Sequence, residues 1–233
     1  MHIQIIGAGL SGLVCAHYIL DKQENTQISI YELRAEIGYP QHKPGIINEF
    51  ERYQNNLKKW GFTELTQCFT VDGRGGLHRP QLEKDLSIKL TQRGANIYLK
   101  TRIEGISNNQ QGHPSLQSKG AGPNIANMEV NTIIDTTGIQ SPLASFDQRI
   151  HILQQTTFPW IGGISISNDV PNIAKWSSKR LDGTFEHWFS NEKIDLEYNW
   201  LSIMEGEFSE EDAFIDSSIQ RGMALASLAL ERM

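Results

Sequence analysis

Ile3-Gln4-Ile5-Ile6-Gly7-Ala8-Gly9-Leu10-Ser11-Gly12 is an apolar run that breaks into a G-x-G-x-x-G pattern. The run reads as a buried strand. Leu13, Ala16 and Leu20 then recur at helical spacing over Leu10 to Leu20. Ile28-Ser29-Ile30-Tyr31 follows as a second short strand, and Glu32 ends it, twenty residues beyond Gly12. Strand, glycine turn, helix and strand make a βαβ unit, which predicts a parallel sheet. That setting turns a weak pattern into a specific one. Gly7 permits the tight turn, Gly9 lets the backbone approach a pyrophosphate, and Gly12 lets helix and strand pack closely. The amides from Gly7 through Ala8, Gly9, Leu10 and Ser11 to Gly12, with the positive end of the helix dipole, suit a diphosphate. Glu32 is expected to accept hydrogen bonds from both ribose hydroxyls of an adenosine and to repel a 2′-phosphate, which disfavours NADP. The alternative is a glycine-rich turn with no ligand.

The surrounding composition narrows the classes. At 233 residues the chain suits one large domain or one domain with a small satellite. Its net charge of −6 disfavours nucleic acid as a partner. Cys15 and Cys68 make no disulfide framework, which favours a reducing, cytoplasmic setting. No apolar run approaches the roughly 20 residues of a transmembrane segment, and the glycines interrupting the first apolar stretch argue against a signal peptide.

Further along, Phe50, Tyr53, Leu57 and Trp60 predict a helix stopped by Gly61, and Pro80 to Gly94 predicts another through Leu82, Leu86 and Leu90. Ala95–Ile106 and Val130–Asp135 read as strands. Ser107–Met128, rich in Asn, Gln, Ser, Gly and Pro, reads as one long mobile loop. Three stretches, His151–Ser167, Arg180–Ser190 and Leu196–Met204, predict a small antiparallel sheet with turns near Asn168-Asp169, Asp182-Gly183 and Asn191. Ile215 to Met233 returns to helical spacing. The expected organisation is α/β: a Rossmann-like domain over residues 1–150 and 205–233, and a small antiparallel β cap over 151–204.

FAD and NAD share the glycine fingerprint, so other segments must discriminate. Glu32-Leu33-Arg34 followed by Ile37-Gly38-Tyr39-Pro40 resembles the FAD-binding start of geranylgeranyl reductase-type flavoproteins, which belong with para-hydroxybenzoate hydroxylase. Leu77-His78-Arg79-Pro80-Gln81-Leu82 is similar to the family's segment that opens a helix beside the cofactor. Thr101-Arg102-Ile103 resembles the strand whose backbone meets the adenine. Asp135-Thr136-Thr137-Gly138 with Ser141 resembles the family's Asp-Ala-Thr-Gly…Ser segment, and Glu211-Asp212 to Asp216 with Gly222 faintly resembles its final flavin segment. The resemblance implies FAD as cofactor, with Leu33, Arg34, Arg79, Ile103, Thr137, Gly138 and Asp212 joining Glu32 and the glycine loop. It further implies an apolar, isoprenoid-like or aromatic small-molecule substrate. No second G-x-G-x-x-G exists, so the electron donor is expected to be external, either transiently bound NAD(P)H or a redox protein.

Three departures are plain. Family reductases carry a cysteine and a glutamate after the proline matching Pro40, where this chain has Gln41-His42-Lys43-Pro44-Gly45. The last motif lacks a glycine before Asp212 and a proline after Asp216. The cap is short. A non-catalytic flavin-binding module acting through a partner, and an NAD dehydrogenase using the same loop, therefore stay open beside the flavoenzyme. His42 and Lys43 are weak catalytic candidates, equally readable as a solvated pair. Arg79 is a phosphate partner or a loop tie. The aromatics Phe158, Trp160, Phe185, Trp188, Phe189 and Trp200 line a pocket or simply fill a core. Seven scattered histidines without cysteine partners make zinc improbable.

Overall fold

The computed structural model describes residues 1–63, 74–108, 114–123, 125, 132–138, 141–152, 156–170, 173–190, 194–195 and 197–232. In chain order the elements are β1 (His2–Ile6), α1 (Leu10–Lys22), β2 (Gln27–Tyr31), β3 (Ile46–Ile47), α2 (Phe50–Lys59), β4 (Gly75–Gly76), α3 (Arg79–Gln92), β5 (Asn96–Tyr98), β6 (Thr101–Asn108), β7 (Pro114–Gly120), β8 (Thr132–Asp135), β9 (Phe158–Ser165), β10 (Trp176–Lys179), β11 (Phe185–Ser190), β12 (Ser202–Phe208) and α4 (Ile215–Glu231). They fall into two compact units. One comprises Met1–Ile37, Glu83–Gln154 and Ile219–Met233; the other comprises Gly38–Leu82 and Gln155–Ser218.

The first unit is built on a parallel sheet in the order β5-β2-β1-β8. Ile134 bridges Ile150 in parallel and widens it. Every residue of β1 is buried, as a strand covered on both faces requires. Against this unit's core α1 buries Leu13, Val14, Ala16, Ile19 and Leu20. Tyr31, Ile6 and Ile133 pack with Ile103, Leu116, Ile125 and Leu143 in a second apolar cluster. A buried histidine in this unit is closely paired. His17 is fully buried, with Nε2 3.0 Å from the Leu86 carbonyl and Nδ1 3.1 Å from Arg93 Nη1, while Arg93 Nη2 pairs with Asp21 at 2.9 Å. An arginine can only donate, so Nδ1 is the acceptor and Nε2–H the donor, which is the neutral tautomer.

The second unit carries an antiparallel sheet in the order β10-β11-β9-β12, with β3 and β4 as a separate pair. Alternation along these strands divides the aromatics between two faces. Trp160, Trp176, Trp188, Met204 and Phe208 form one core with Ile46 and Ala213. Gly162 leaves room for the Trp188 ring, since a Cβ there would lie 2.9 Å from it. On the opposite face a Cβ at Gly163 would lie 2.3 Å from Trp200, which meets Phe189 edge-on. Core filling thus accounts for Trp160, Trp188 and Phe189, whereas Phe158 is half exposed.

Several expectations change. Ser107–Met128 is not one loop: β7 occupies Pro114–Gly120 and pairs antiparallel with β6. Its polar residues hid a strand that needs only one apolar side, with Leu116 buried and Gln117 exposed. Residues 109–113, 124 and 126–128 of that stretch lie outside the described residues. Ala95–Ile106 is two strands, broken at Lys100, whose φ of 51° takes the chain from the parallel sheet to the hairpin. The β10 strand was not expected, being four residues with two serines, and β12 runs beyond Met204 to Phe208. Residues 38–82 and 205–218 group with the antiparallel sheet, because Gly45 and Gln41 bond Glu186 of β11 and β12 pairs with β9.

Burial holds the His17 pKa down at about 4, against the pull of the Leu86 carbonyl and Asp21, with Arg93 and Lys89 adding to the depression. The unfolded chain therefore binds a proton that the native state refuses between pH about 6.5 and 4. Stability is expected to fall as pH drops through that window, by on the order of 3 kcal/mol once both states are below their pKa. Urea unfolding at stepped pH checks it: His17→Gln should flatten this part of the profile relative to wild type.

In the second unit, Glu186 is fully buried and accepts from Gln41 Nε2 (2.9 Å), Gly45 N (2.9 Å), Trp188 Nε1 (2.6 Å) and Arg180 Nε (2.9 Å). Arg180 Nη2 donates to Gln41 Oε1 as well. Glu186→Gln strands the Arg180 charge in the interior and is expected to cost about 3–5 kcal/mol in urea unfolding.

Candidate functional site

At the carboxyl end of β1 the chain turns into α1 through Gly7, at φ +100°, a region glycine enters without strain. The turn is braced from β8. Thr136 N–H and Oγ1 donate to the Ile6 carbonyl (2.9 and 2.7 Å), and the same hydroxyl lies 3.0 Å from the Gly7 carbonyl. A Cβ on Gly7 would lie 2.7 Å from that Oγ1, and one on Gly12 only 2.2 Å from the Gly7 carbonyl oxygen. Gly9 differs: a Cβ there would meet nothing within 4 Å. Gly7 and Gly12 are thus demanded by internal packing, and Gly9 is not.

Gly9 is the N-cap of α1, and no side chain caps it; the first turn also carries no acid. Leu13 N–H makes the first intrahelical bond, to the Gly9 carbonyl, so the amides of Leu10, Ser11 and Gly12 precede the helical ladder. They form an amide-lined start whose dipole favours an anion. Gly222 of α4 lets that helix pack on α1, since its Cβ would sit 2.6 Å from the Ser11 carbonyl oxygen.

Glu32 stands at the end of β2, buried, and its carboxylate is tied on both oxygens. Oε2 accepts Ala8 N–H at 2.8 Å, and Oε1 accepts both N–H and Nε–H of Arg34 at 2.9 Å. Burial pushes its pKa up, but the Arg34 side-chain bond and charge, with the backbone bonds, outweigh that and hold it below the usual range. A carboxylate offers about four acceptor positions. Three are taken, so Oε2 keeps one. Thr101 N–H donates to the Glu32 carbonyl and Lys100 N–H to that of Arg34, fixing β6 beside the acid. Leu33 is exposed, whereas the Ile103 side chain is buried in the apolar cluster.

Beyond β8, Asp135 organises the Thr136-Thr137-Gly138 turn. Its Oδ1 accepts the Thr137 amide (3.0 Å) and hydroxyl (2.6 Å), its Oδ2 accepts the Ser141 hydroxyl, and Arg149 Nε lies 3.3 Å from Oδ2. Gly138 adopts φ +85°. The bracing role of Thr136 and the partnership with Arg149 were not read from the sequence. Arg149 lies outside any motif and is found only once Ile150 joins the sheet.

The remaining candidates lie in the second unit. Arg79 is buried and donates to the Pro44 carbonyl (3.1 Å) and Ser218 Oγ (3.0 Å), which is the geometry of a loop tie. Lys43 Nζ lies 3.3 Å from the Asp212 carbonyl, and exposed His42 has Nδ1 3.1 Å from the Glu205 carbonyl. The structure thus joins Lys43 with Asp212. Among the described residues no group of three or more His, Cys, Asp or Glu side chains is arranged to hold a metal ion, and no helix is long and apolar enough to cross a membrane.

Residues 5–56 match the family of NAD(P)-binding Rossmann-like domains. No curated protein matches the chain. Among solved structures, a geranylgeranyl bacteriochlorophyll reductase-like protein from Thermoplasma acidophilum aligns with a TM-score of 0.70 at 11% identity, over 99% of this chain and 78% of that one. CabE, an aromatic hydroxylase from angucycline biosynthesis, aligns at 0.61 and 12%, over 99% of this chain and 62% of its own. L-proline dehydrogenase from P. horikoshii aligns at 0.60 and 12%, over 97% and 90%. The chain shares the α/β fold of these structures, with a Rossmann-like parallel sheet and separate antiparallel sheets.

Gly9→Ala is expected to fold with stability within about 1 kcal/mol of wild type, because its new methyl enters open space. Gly12→Ala should lose at least about 2 kcal/mol, because the methyl strikes backbone. Thermal unfolding of the two variants distinguishes them.

Proposed function

We propose that this chain is an FAD-binding oxidoreductase. The observation that carries the reading is Gly9: a residue without a side chain, in open space at an uncapped helix start, beside an anchored acid with one acceptor position left. Those features fit an adenine dinucleotide. The amides of Leu10, Ser11 and Gly12 would hold its diphosphate, Glu32 Oε2 would take one ribose hydroxyl, and Arg34 would keep Glu32 ionised. Leu33, Ile103, Thr137 and Gly138 would flank the cofactor.

When bound, flavin supplies hydride or electron transfer through its N5. The protein's part is to orient it and set its electrostatics. The fold shared with reductase-like and hydroxylase flavoproteins supports flavin over nicotinamide as the resident cofactor, and an apolar, isoprenoid-like or aromatic molecule as substrate. NAD(P)H or a redox protein would act as external donor. A cytoplasmic location is in keeping with the acidic, cysteine-poor composition. The second reading, a flavin-binding module without turnover, is favoured by Gln41: its side chain is spent on the Lys43 carbonyl, Glu186 and Arg180, where family reductases carry reactive groups.

Titration with FAD, followed by desalting and an absorbance spectrum, tests the proposal. One equivalent of flavin should be retained, be reduced by NAD(P)H or dithionite, and be reoxidised faster by an acceptor than free flavin is. Gly9→Ala and Glu32→Ala should each weaken FAD binding at least tenfold, on the scale of about 1.4 kcal/mol or more. A colourless protein retaining NAD would overturn the reading, and retained flavin without accelerated redox would favour the module.

A further inference from the structure

We propose that the cavity at the carboxyl end of β8, lined by Arg149 and Arg221, binds a small organic carboxylate with a short apolar tail. The cavity, of about 270 Å³, lies within the first unit. At about 30 Å³ per water it has room for a carboxylate and several carbons.

Its polar end is built around Arg149, which is only 9% exposed. Two carbonyls orient the guanidinium: Nη1 donates to Ala144 (2.9 Å) and Phe146 (2.8 Å). The one carboxylate beside it does not complete its bonding. Asp135 Oδ1 is filled by Thr137, and Oδ2 takes the Ser141 hydroxyl. Arg149 Nε stays 3.3 Å away, buried and without a hydrogen-bond partner. A buried donor left unmade is costly, so an acceptor entering the cavity gains more than it would at the surface.

Charge and lining select the ligand. The guanidinium groups of Arg149 and Arg221 line the cavity together with Asp135 and His151. A guanidinium also matches the planar fork of a carboxylate. The rest of the wall includes Leu225, Ile152 and Ala144, which suits a short hydrocarbon chain.

Calorimetric titration of the full chain with butyrate, and separately with inorganic phosphate, each without and with saturating FAD, tests this. Saturable butyrate binding is expected, tighter than phosphate and indifferent to FAD. It should weaken at least tenfold in Arg221→Gln and in Ala144→Trp, which narrows the cavity from an exposed position; the unliganded melting temperature of each variant verifies folding. Absence of saturable binding, equal affinity in both folded variants, or phosphate binding at least as tightly would overturn the proposal. So would loss of butyrate binding on adding FAD, which would give the cavity to the cofactor. If FAD does not bind at all, the FAD-free titrations decide alone.

Discussion

A hydroxyl just past β8 and two missing side chains, one in the turn after β1 and one in the first turn of α1, hold the candidate site open. Thr136 Oγ1 donates to the carbonyl oxygen of Ile6 and lies against that of Gly7, while Gly12 brings the first turn of α1 onto the same carbonyl. This contact fixes where the helix starts relative to β1, with the Leu10, Ser11 and Gly12 amides ahead of the helical ladder and open space beside Gly9. A β-carbon at Gly7 or Gly12 would push the helix off its seat. The location of the hollow, at the carboxyl edge of a parallel sheet, is where α/β folds gather their ligands.

Electrostatics then give the hollow its sign. The helix start is positive and has no acid of its own, while Glu32 is held by the Ala8 amide and by Arg34. The acid is thus kept ionised without being free, with one acceptor position to offer. Asp135 plays a comparable part on the next strand, drawing Thr137 and Ser141 inward and holding Arg149 at arm's length. Both carboxylates sit at strand ends and shape a turn by collecting its donors.

Much of this was legible in the sequence, for identifiable reasons. The glycine loop, α1, β2 and Glu32 follow one another within forty residues, so local spacing determined them. The helices at Phe50 and Pro80 announced themselves by apolar recurrence with glycine or proline punctuation, and the one at Ile215 by apolar recurrence alone. What was missed depends on distant pairing. The strand at Pro114–Gly120 has one buried side and a polar composition, and only β6 makes it a strand. Gln41 and Gly45 belong with the antiparallel sheet because of Glu186, well over a hundred residues away. Arg79 was legible as a phosphate partner or a loop tie, but its partners, the Pro44 carbonyl and Ser218, were not.

The account stands on the amides that open α1 being the grip on a dinucleotide's diphosphate. Hydrogen–deuterium exchange, resolved to single amides and run with and without FAD, addresses them directly. The Leu10, Ser11 and Gly12 amides should exchange at least tenfold more slowly with the cofactor present. Retained FAD that leaves those three amides exchanging at their unliganded rates would contradict it.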